Sequence, residues 1–174
     1  YLCSMARLMF ARSVVRIIWD INLSKIDVTI SELSLKGKIC EYNVDVSNSE
    51  QIQETAKKVK HEIGVVDVLI NNAGIVVGKF FQDQSASDIN KTMEINAIGP
   101  MLVALEFLDD MLHQNSGHIC NIASSGGLIS NPKMSVYAAS KWSVIGWSDS
   151  LRLEMKKMNK AVAVTTIMPY YINT

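Results

Sequence analysis

Apolar runs of strand length alternate with helical patterns along the whole chain, and this alternation constrains the fold more than any other feature. Residues 14–19 (VVRIIW) read as a buried strand and 38–44 (KICEYNV) as a second. Residues 47–64 (SNSEQIQETAKKVKHEIG) open with capping residues, place Ile52, Ala56, Val59 and Ile63 on one stripe, and stop at Gly64, which defines a helix. The strand 65–70 (VVDVLI) follows, then a loop and the helical pattern 87–99. Residues 100–114 continue as helix with Pro100 near the start, and their apolar positions cover more than one stripe. A strand at 117–124, a helix at 137–157 and a strand at 161–168 complete the order. Strands this uniformly apolar, separated by helices, imply a Rossmann-like doubly wound parallel sheet with three α/β/α layers.

A length of 174 residues fits one domain, 1–174, with enough chain to bury a core. Seventeen basic residues balance seventeen acidic ones, so no net field recruits nucleic acid or an anionic membrane. Cys3, Cys40 and Cys120 are odd in number and lack CxxC spacing. His61, His113 and His118 form no HxxxH-type pair, so neither a disulfide framework nor a metal site is indicated, and a reducing compartment is expected. No run approaches the roughly 18 apolar residues of a membrane span. The chain begins with Tyr1, so an anchor is expected only if a preceding segment carries one. The expected location is cytoplasmic, or on the cytosolic face of the endoplasmic reticulum or a lipid droplet if such an anchor exists.

In an open α/β sheet, ligands bind beyond the carboxyl ends of the strands. After the first visible strand stands Asp20, whose carboxylate suits the hydroxyls of an adenine ribose and repels a 2′-phosphate, favouring NAD over NADP. By itself an aspartate there also serves as a turn or capping residue. After 65–70 comes NNAG, in which Asn72, Ala73 and Gly74 make a small-residue turn that lets a ligand approach the backbone. After 117–122 comes ASSGG, with Ser124 and Ser125 at the strand tip; Tyr137 follows Ser124 by thirteen residues and stands four before Lys141 in VYAASKW. Residues four apart share a helix face, about 6 Å of rise apart. That spacing also occurs on helices with no chemistry; a hydroxyl, a phenol and an ammonium converging on one sheet edge is more specific.

These motifs, in order, resemble the short-chain dehydrogenase/reductase family: Asp20, the Asp45-Val46 pair, the NNAG turn, Asn96 in MEINAIG, Ser124, YAASK and PYYINT, covering about residue 5 to the end. Within it, WDIN, INNAGIV and a proline segment without its usual glycine look most like the retinol dehydrogenase and 17-beta-hydroxysteroid dehydrogenase branch. The resemblance implies an NAD-dependent oxidoreductase interconverting a lipid-like alcohol and its carbonyl. Tyr137 is then the acid/base, Ser124 the partner of the reacting oxygen, and Asn96 the holder of a water that connects Lys141 to solvent. A phenol ordinarily titrates near 10, and moving it toward 7 takes about 4 kcal/mol, which a nearby ammonium and a nicotinamide cation would supply. The cofactor set implied is Asp20, Ile21, Asp45, Val46, Asn72, Ala73, Gly74, Tyr137, Lys141, Pro169, Ile172 and Thr174. Helices 100–114 and 137–157 are expected to make a homodimer or homotetramer. Trp142 and Trp147 are assigned to packing or interface, and the three histidines and nine methionines to surface and core.

The chain departs from the family at its ends. The earliest glycine is Gly37, so the glycine-rich phosphate turn and the strand before it are missing. In the family's 3-2-1-4-5-6-7 sheet that strand is central, so its loss implies two half-sheets with unpaired inner edges and an unstable isolated chain. A substrate loop and last strand would follow Thr174. A catalytically inactive relative acting only through partner contacts is the alternative function.

Overall fold

The computed structural model describes residues 15–22, 38–129 and 131–170, which fall into two compact units meeting between Asp45 and Val46. In the first, strands β1 (Arg16–Asp20) and β2 (Ile39–Asn43) pair in parallel, with Arg16 opposite Ile39 and Asp20 opposite Asn43. The segment MARLMFARS (5–13), which by resemblance would hold the helix that follows the glycine-rich turn, lies outside the described residues.

The second unit carries a parallel sheet of order β3-β4-β5, formed by Val68–Asn71, Gly117–Ile122 and Val162–Ile167. Asn71 stands opposite Asn121, and Ile122 opposite Ile167. The division of described strands into a two-stranded and a three-stranded sheet agrees with the two half-sheets implied by the sequence.

Helix α1 (Ser49–Glu62) starts where the Asn48 side chain accepts from the backbone N–H groups of Glu50 and Gln51. It buries Ile52, Ala56 and Val59, and the chain turns away at Gly64, whose φ of 108° a side chain would oppose. Helix α2 (Ala86–Met93) has a full capping box between Ser85 and Asp88.

The pattern over 87–99 is not one α-helix. Residues Glu94–Ile98 form a π-helical segment, which swells the turn carrying Asn96 before α3 (Gly99–Gln114) resumes with Pro100 in its first turn. Asn115, left-handed at φ 51°, ends α3. The two stripes expected of α3 are visible as buried Val103, Ala104, Phe107 and Met111 beside exposed Leu105. Helix α4 (Ser135–Lys157) starts two residues earlier than the sequence pattern places it.

One apolar cluster joins α3, β4, α4 and β5 through Ala104, Met111, Ile119, Leu151, Met155, Val162 and Val164. Met111, Ile119 and Met155 are almost fully buried, each worth about 1.5–3 kcal/mol of transfer from water. Beside this core runs a buried polar chain. Asn71 Nδ2 donates to Asn121 Oδ1 at 2.8 Å, and Asn121 Nδ2 donates to Ser148 Oγ at 2.8 Å. Among the described residues no helix is long and apolar enough to cross a membrane.

Candidate active site

The carboxyl ends of β3 and β4, the π-helical segment and the first turns of α4 bring the predicted residues Asn96, Ser124, Tyr137 and Lys141 together. Ser124 follows β4 in extended backbone and caps the 3-10 turn Ser125–Gly127, its Oγ accepting from the Gly126 N–H at 3.1 Å. A Cβ built on Gly126 would lie 3.3 Å from Ser124 Oγ and 3.4 Å from Tyr137 Cε1, so hydroxyl and phenol ring flank the same glycine. A side chain there would fill the space between them.

Lys141 stands one turn beyond Tyr137, and only 4% of its surface is exposed. Its Nζ donates to the Ile122 carbonyl at 2.8 Å and lies 5.9 Å from the centre of the Tyr137 ring. Burial pushes its pKa down to about 8, because the charged form loses water. An ammonium has three donors, so two hydrogens remain beyond the bond to Ile122.

Asn96 is fully buried on the π-helical segment. Its Oδ1 accepts from the Ile75 N–H at 2.8 Å, and its Nδ2 donates to the Ile75 carbonyl at 2.9 Å and to Ser140 Oγ at 3.1 Å. Both amide hydrogens are therefore committed, and a relay water has only the second lone pair of Oδ1, or backbone, to hold. A Cβ on Gly74 would sit 3.5 Å from both Asn96 Oδ1 and Lys141 Nζ, so glycine keeps that corner open.

The turn residues Ala73 and Gly74 are exposed and Asn72 is half-buried, leaving backbone within reach of a ligand. A nicotinamide dinucleotide fits these groups: an open glycine turn, and a buried cation with free donors next to it. The Val46 carbonyl lies against Gly99, where a Cβ would approach it to 2.7 Å. The Pro169 carbonyl accepts from the Ser125 N–H at 2.9 Å and ties the loop after β5 to that after β4. Ile172 and Thr174 lie outside the described residues.

Asp20, exposed Ile21 and Asp45 belong to the first unit. Asp20 ends β1 and its Oδ1 accepts from the Asn22 N–H at 2.8 Å, closing a turn. One carboxylate oxygen thus serves the backbone.

Sequence reasoning missed Ser140 and the chain Asn71, Asn121 and Ser148. For Asn71 and Asn121 the signal was present, a polar residue on an otherwise apolar strand; a serine within a helical pattern gave none for Ser140 and Ser148. An open cavity of about 500 Å³ lies elsewhere, lined by Asn115, Arg152, Met155, Lys156, Asn159 and Lys160. It sits at the amino end of β5, opposite the edge at which open α/β sheets bind ligands.

A short chain dehydrogenase family model matches residues 3–174, and the chain belongs to the short-chain dehydrogenase/reductase family. Estradiol 17-beta-dehydrogenase 11 of Macaca fascicularis is 37% identical over 161 residues, covering 91% of this chain and 53% of that protein. Epidermal retinol dehydrogenase 2 of Mus musculus is 34% identical over 171 residues, covering 96% and 55%. A solved short chain dehydrogenase/reductase from Burkholderia phymatum in complex with NAD superposes with a TM-score of 0.84 at 30% identity, covering 90% of this chain and 56% of that one. The chain thus spans about half the length of the curated relatives it matches.

Proposed function

We propose that the protein of which this chain is part is an NAD-dependent dehydrogenase that oxidises an apolar alcohol to its carbonyl, or runs the reverse, with Tyr137 as acid/base. The observation that carries this reading is the buried ammonium of Lys141 one helical turn from the Tyr137 ring, beside Ser124 at the carboxyl edge of β4. When bound, the nicotinamide accepts or returns the hydride. Tyr137 takes the hydroxyl proton, Ser124 hydrogen-bonds the reacting oxygen, and Lys141 holds the nicotinamide ribose with its remaining donors while its charge favours the phenolate. The remaining lone pair of Asn96 Oδ1 holds the relay water.

In this reading Asn72 to Gly74, Asp45, Val46, Ile21, Pro169, Ile172 and Thr174 line the dinucleotide, both units belong to one dinucleotide-binding domain, and Asp20 selects NAD. Support for an apolar substrate comes from exposed Leu128 and Ile129 after β4 and exposed Met168 after β5, at the same strand ends as Ser124. The relatives named for retinol and estradiol agree with that chemistry. Exposed Leu105 on α3 and Trp142 on α4 support a homo-oligomer through those helices.

The full-length protein, assayed for NADH formation with retinoid and hydroxysteroid alcohols, is expected to turn over. Its Tyr137→Phe variant is expected to lose roughly 10²–10⁴-fold in kcat. Equal turnover by the variant would overturn the assignment.

A further inference from the structure

Ser140 is fully buried, and its hydroxyl joins two groups of the proposed site. Its Oγ accepts from Asn96 Nδ2 at 3.1 Å and donates to the Tyr137 carbonyl at 2.7 Å. In a regular helix the Tyr137 carbonyl is the acceptor for the Lys141 N–H. The Ser140 hydroxyl therefore enters the backbone bond that closes the turn between phenol and ammonium. Back-bonding of this kind competes with the helical N–H and bends a helix locally. At its other end the same hydroxyl is held by Asn96, whose amide is fixed on both backbone groups of Ile75 beside Gly74.

We infer that Ser140 is a positioning residue: its hydroxyl sets how Tyr137 and Lys141 stand across one helical turn and locks that turn to Asn96 on the π-helical segment. The inference rests on the proposed role of Tyr137. From β4 the Ile122 carbonyl faces Lys141, from the turn after β3 Gly74, and from the π-helical segment the neutral Asn96. Tyr137, on its own helix, is the titratable neighbour.

The helix supplies its own comparison. Eight residues on, buried Ser148 makes a similar pair of bonds, donating to the Val144 carbonyl at 2.6 Å, four residues back where Ser140 reaches three, and accepting from Asn121 Nδ2 at 2.8 Å. Val144 and Ser148 bracket no phenol or ammonium. Ser140→Ala and Ser148→Ala each delete one back-bonded hydroxyl from a buried site and leave one asparagine N–H without its acceptor, so they lose the same number of hydrogen bonds.

In the full-length protein both variants are expected to melt earlier by similar amounts. Ser140→Ala alone is expected to lower kcat about tenfold, the rate equivalent of one hydrogen bond, with KM for NAD nearly unchanged. It is also expected to move the acidic limb of the kcat profile to higher pH, because a misaligned ammonium stabilises the phenolate less. Ser140→Thr, which keeps the oxygen, should return the limb toward its original position. A readout independent of turnover is the pH titration of the Lys141 ammonium by nitrogen-15 NMR in cofactor-free protein, expected to shift in Ser140→Ala and not in Ser148→Ala. If the two alanine variants change the titration equally, or neither does, Ser140 is only structural and the inference fails. A wild-type protein with no NAD-dependent turnover would instead overturn the proposed function, and the Lys141 titration would still decide the role of Ser140.

Discussion

The Nζ of Lys141 lies 2.8 Å from the carbonyl oxygen of Ile122, the last residue of β4, and 5.9 Å from the centre of the Tyr137 ring one turn away. The cation is thus anchored on the sheet, and its position relative to the phenol is set by packing between α4 and β4. A charge fixed before the reaction begins needs no reorganisation when charge develops beside it. The price is a buried ammonium.

That burial has a measurable signature. With a folded pKa of about 8 against an ordinary 10.5, Lys141 binds fewer protons when folded than when unfolded between those values. Its drag on stability is therefore full below about pH 8 and is relieved as pH rises toward 10.5. The difference corresponds to about 3 kcal/mol, from which about 1 is subtracted in Lys141→Met for the lost bond to Ile122. Lys141→Met is expected to be about 2 kcal/mol more stable than wild type at neutral pH, with the gap closing in alkaline melts. A gap that widened with pH would contradict a buried, charge-disfavouring site. The same variant should lose turnover.

Asp88 titrates with the opposite sign. Lys79, at 2.9 Å, and the Ser85 backbone and hydroxyl bond its carboxylate and hold its pKa down at about 2. Its contribution to α2 is present above the ordinary carboxylate value of 3.8 and is lost as pH falls from there through about 2. These bonds lie in and beside the capping box of α2, so the effect is local to its start. Protection factors against amide exchange in the first turn of α2, which remove the intrinsic pH dependence, should fall over that window, and Asp88→Asn should be weakly protected at all pH values.

The strands and helices were legible because their periodicities are strong: 47–64 carries its caps and its apolar stripe in the same segment. Ser124, Tyr137 and Lys141 were legible from order and spacing, and they do gather at one edge. The π-helical segment at Glu94–Ile98 was not, because it is about one turn long, too short for its change of phase to stand out between two helical patterns. Nor was Ser140, since a serine inside a helix reads the same whether it faces water or an asparagine from forty-four residues away. Asp20 was legible as a strand-end acid, and its bond to the Asn22 N–H also matches the plain turn that the sequence allowed.

Two glycines separate backbone from side-chain crowding. A Cβ on Gly99 would meet the Val46 carbonyl oxygen at 2.7 Å and the Glu94 carbonyl oxygen at 3.2 Å. A Cβ on Gly117 would meet the Met111 side chain at 2.6 Å. Neither a backbone carbonyl nor the Met111 Cβ, itself 2.8 Å from the added atom, has a rotamer by which to move aside, and Met111 is fully buried. Overpacking typically costs about 1–3 kcal/mol, and both Gly99→Ala and Gly117→Ala are expected at the upper end. Chemical denaturation of the two variants would measure this, and a near-neutral Gly117→Ala would show that Met111 shifts as a whole. Gly99→Ala should also lower activity, because Gly99 ends the segment that holds Asn96.

Asn121 stands at the centre of the other buried polar chain, and its removal should cost more than the loss of one hydrogen bond. In Asn121→Ala, Ser148 loses its donor and Asn71 Nδ2 retains only a bond of 3.3 Å to the Pro100 carbonyl. Leaving buried polar groups short of partners costs about 1–3 kcal/mol each, besides the cavity. Asn121→Ala is therefore expected to lose about 3–5 kcal/mol in denaturant melts. Pairing it with Ser148→Ala in a double-mutant cycle tests the connection. The double variant should be less destabilised than the sum of the singles, since Ser148 has already lost its donor in Asn121→Ala. Strict additivity would mean that the two residues are held independently.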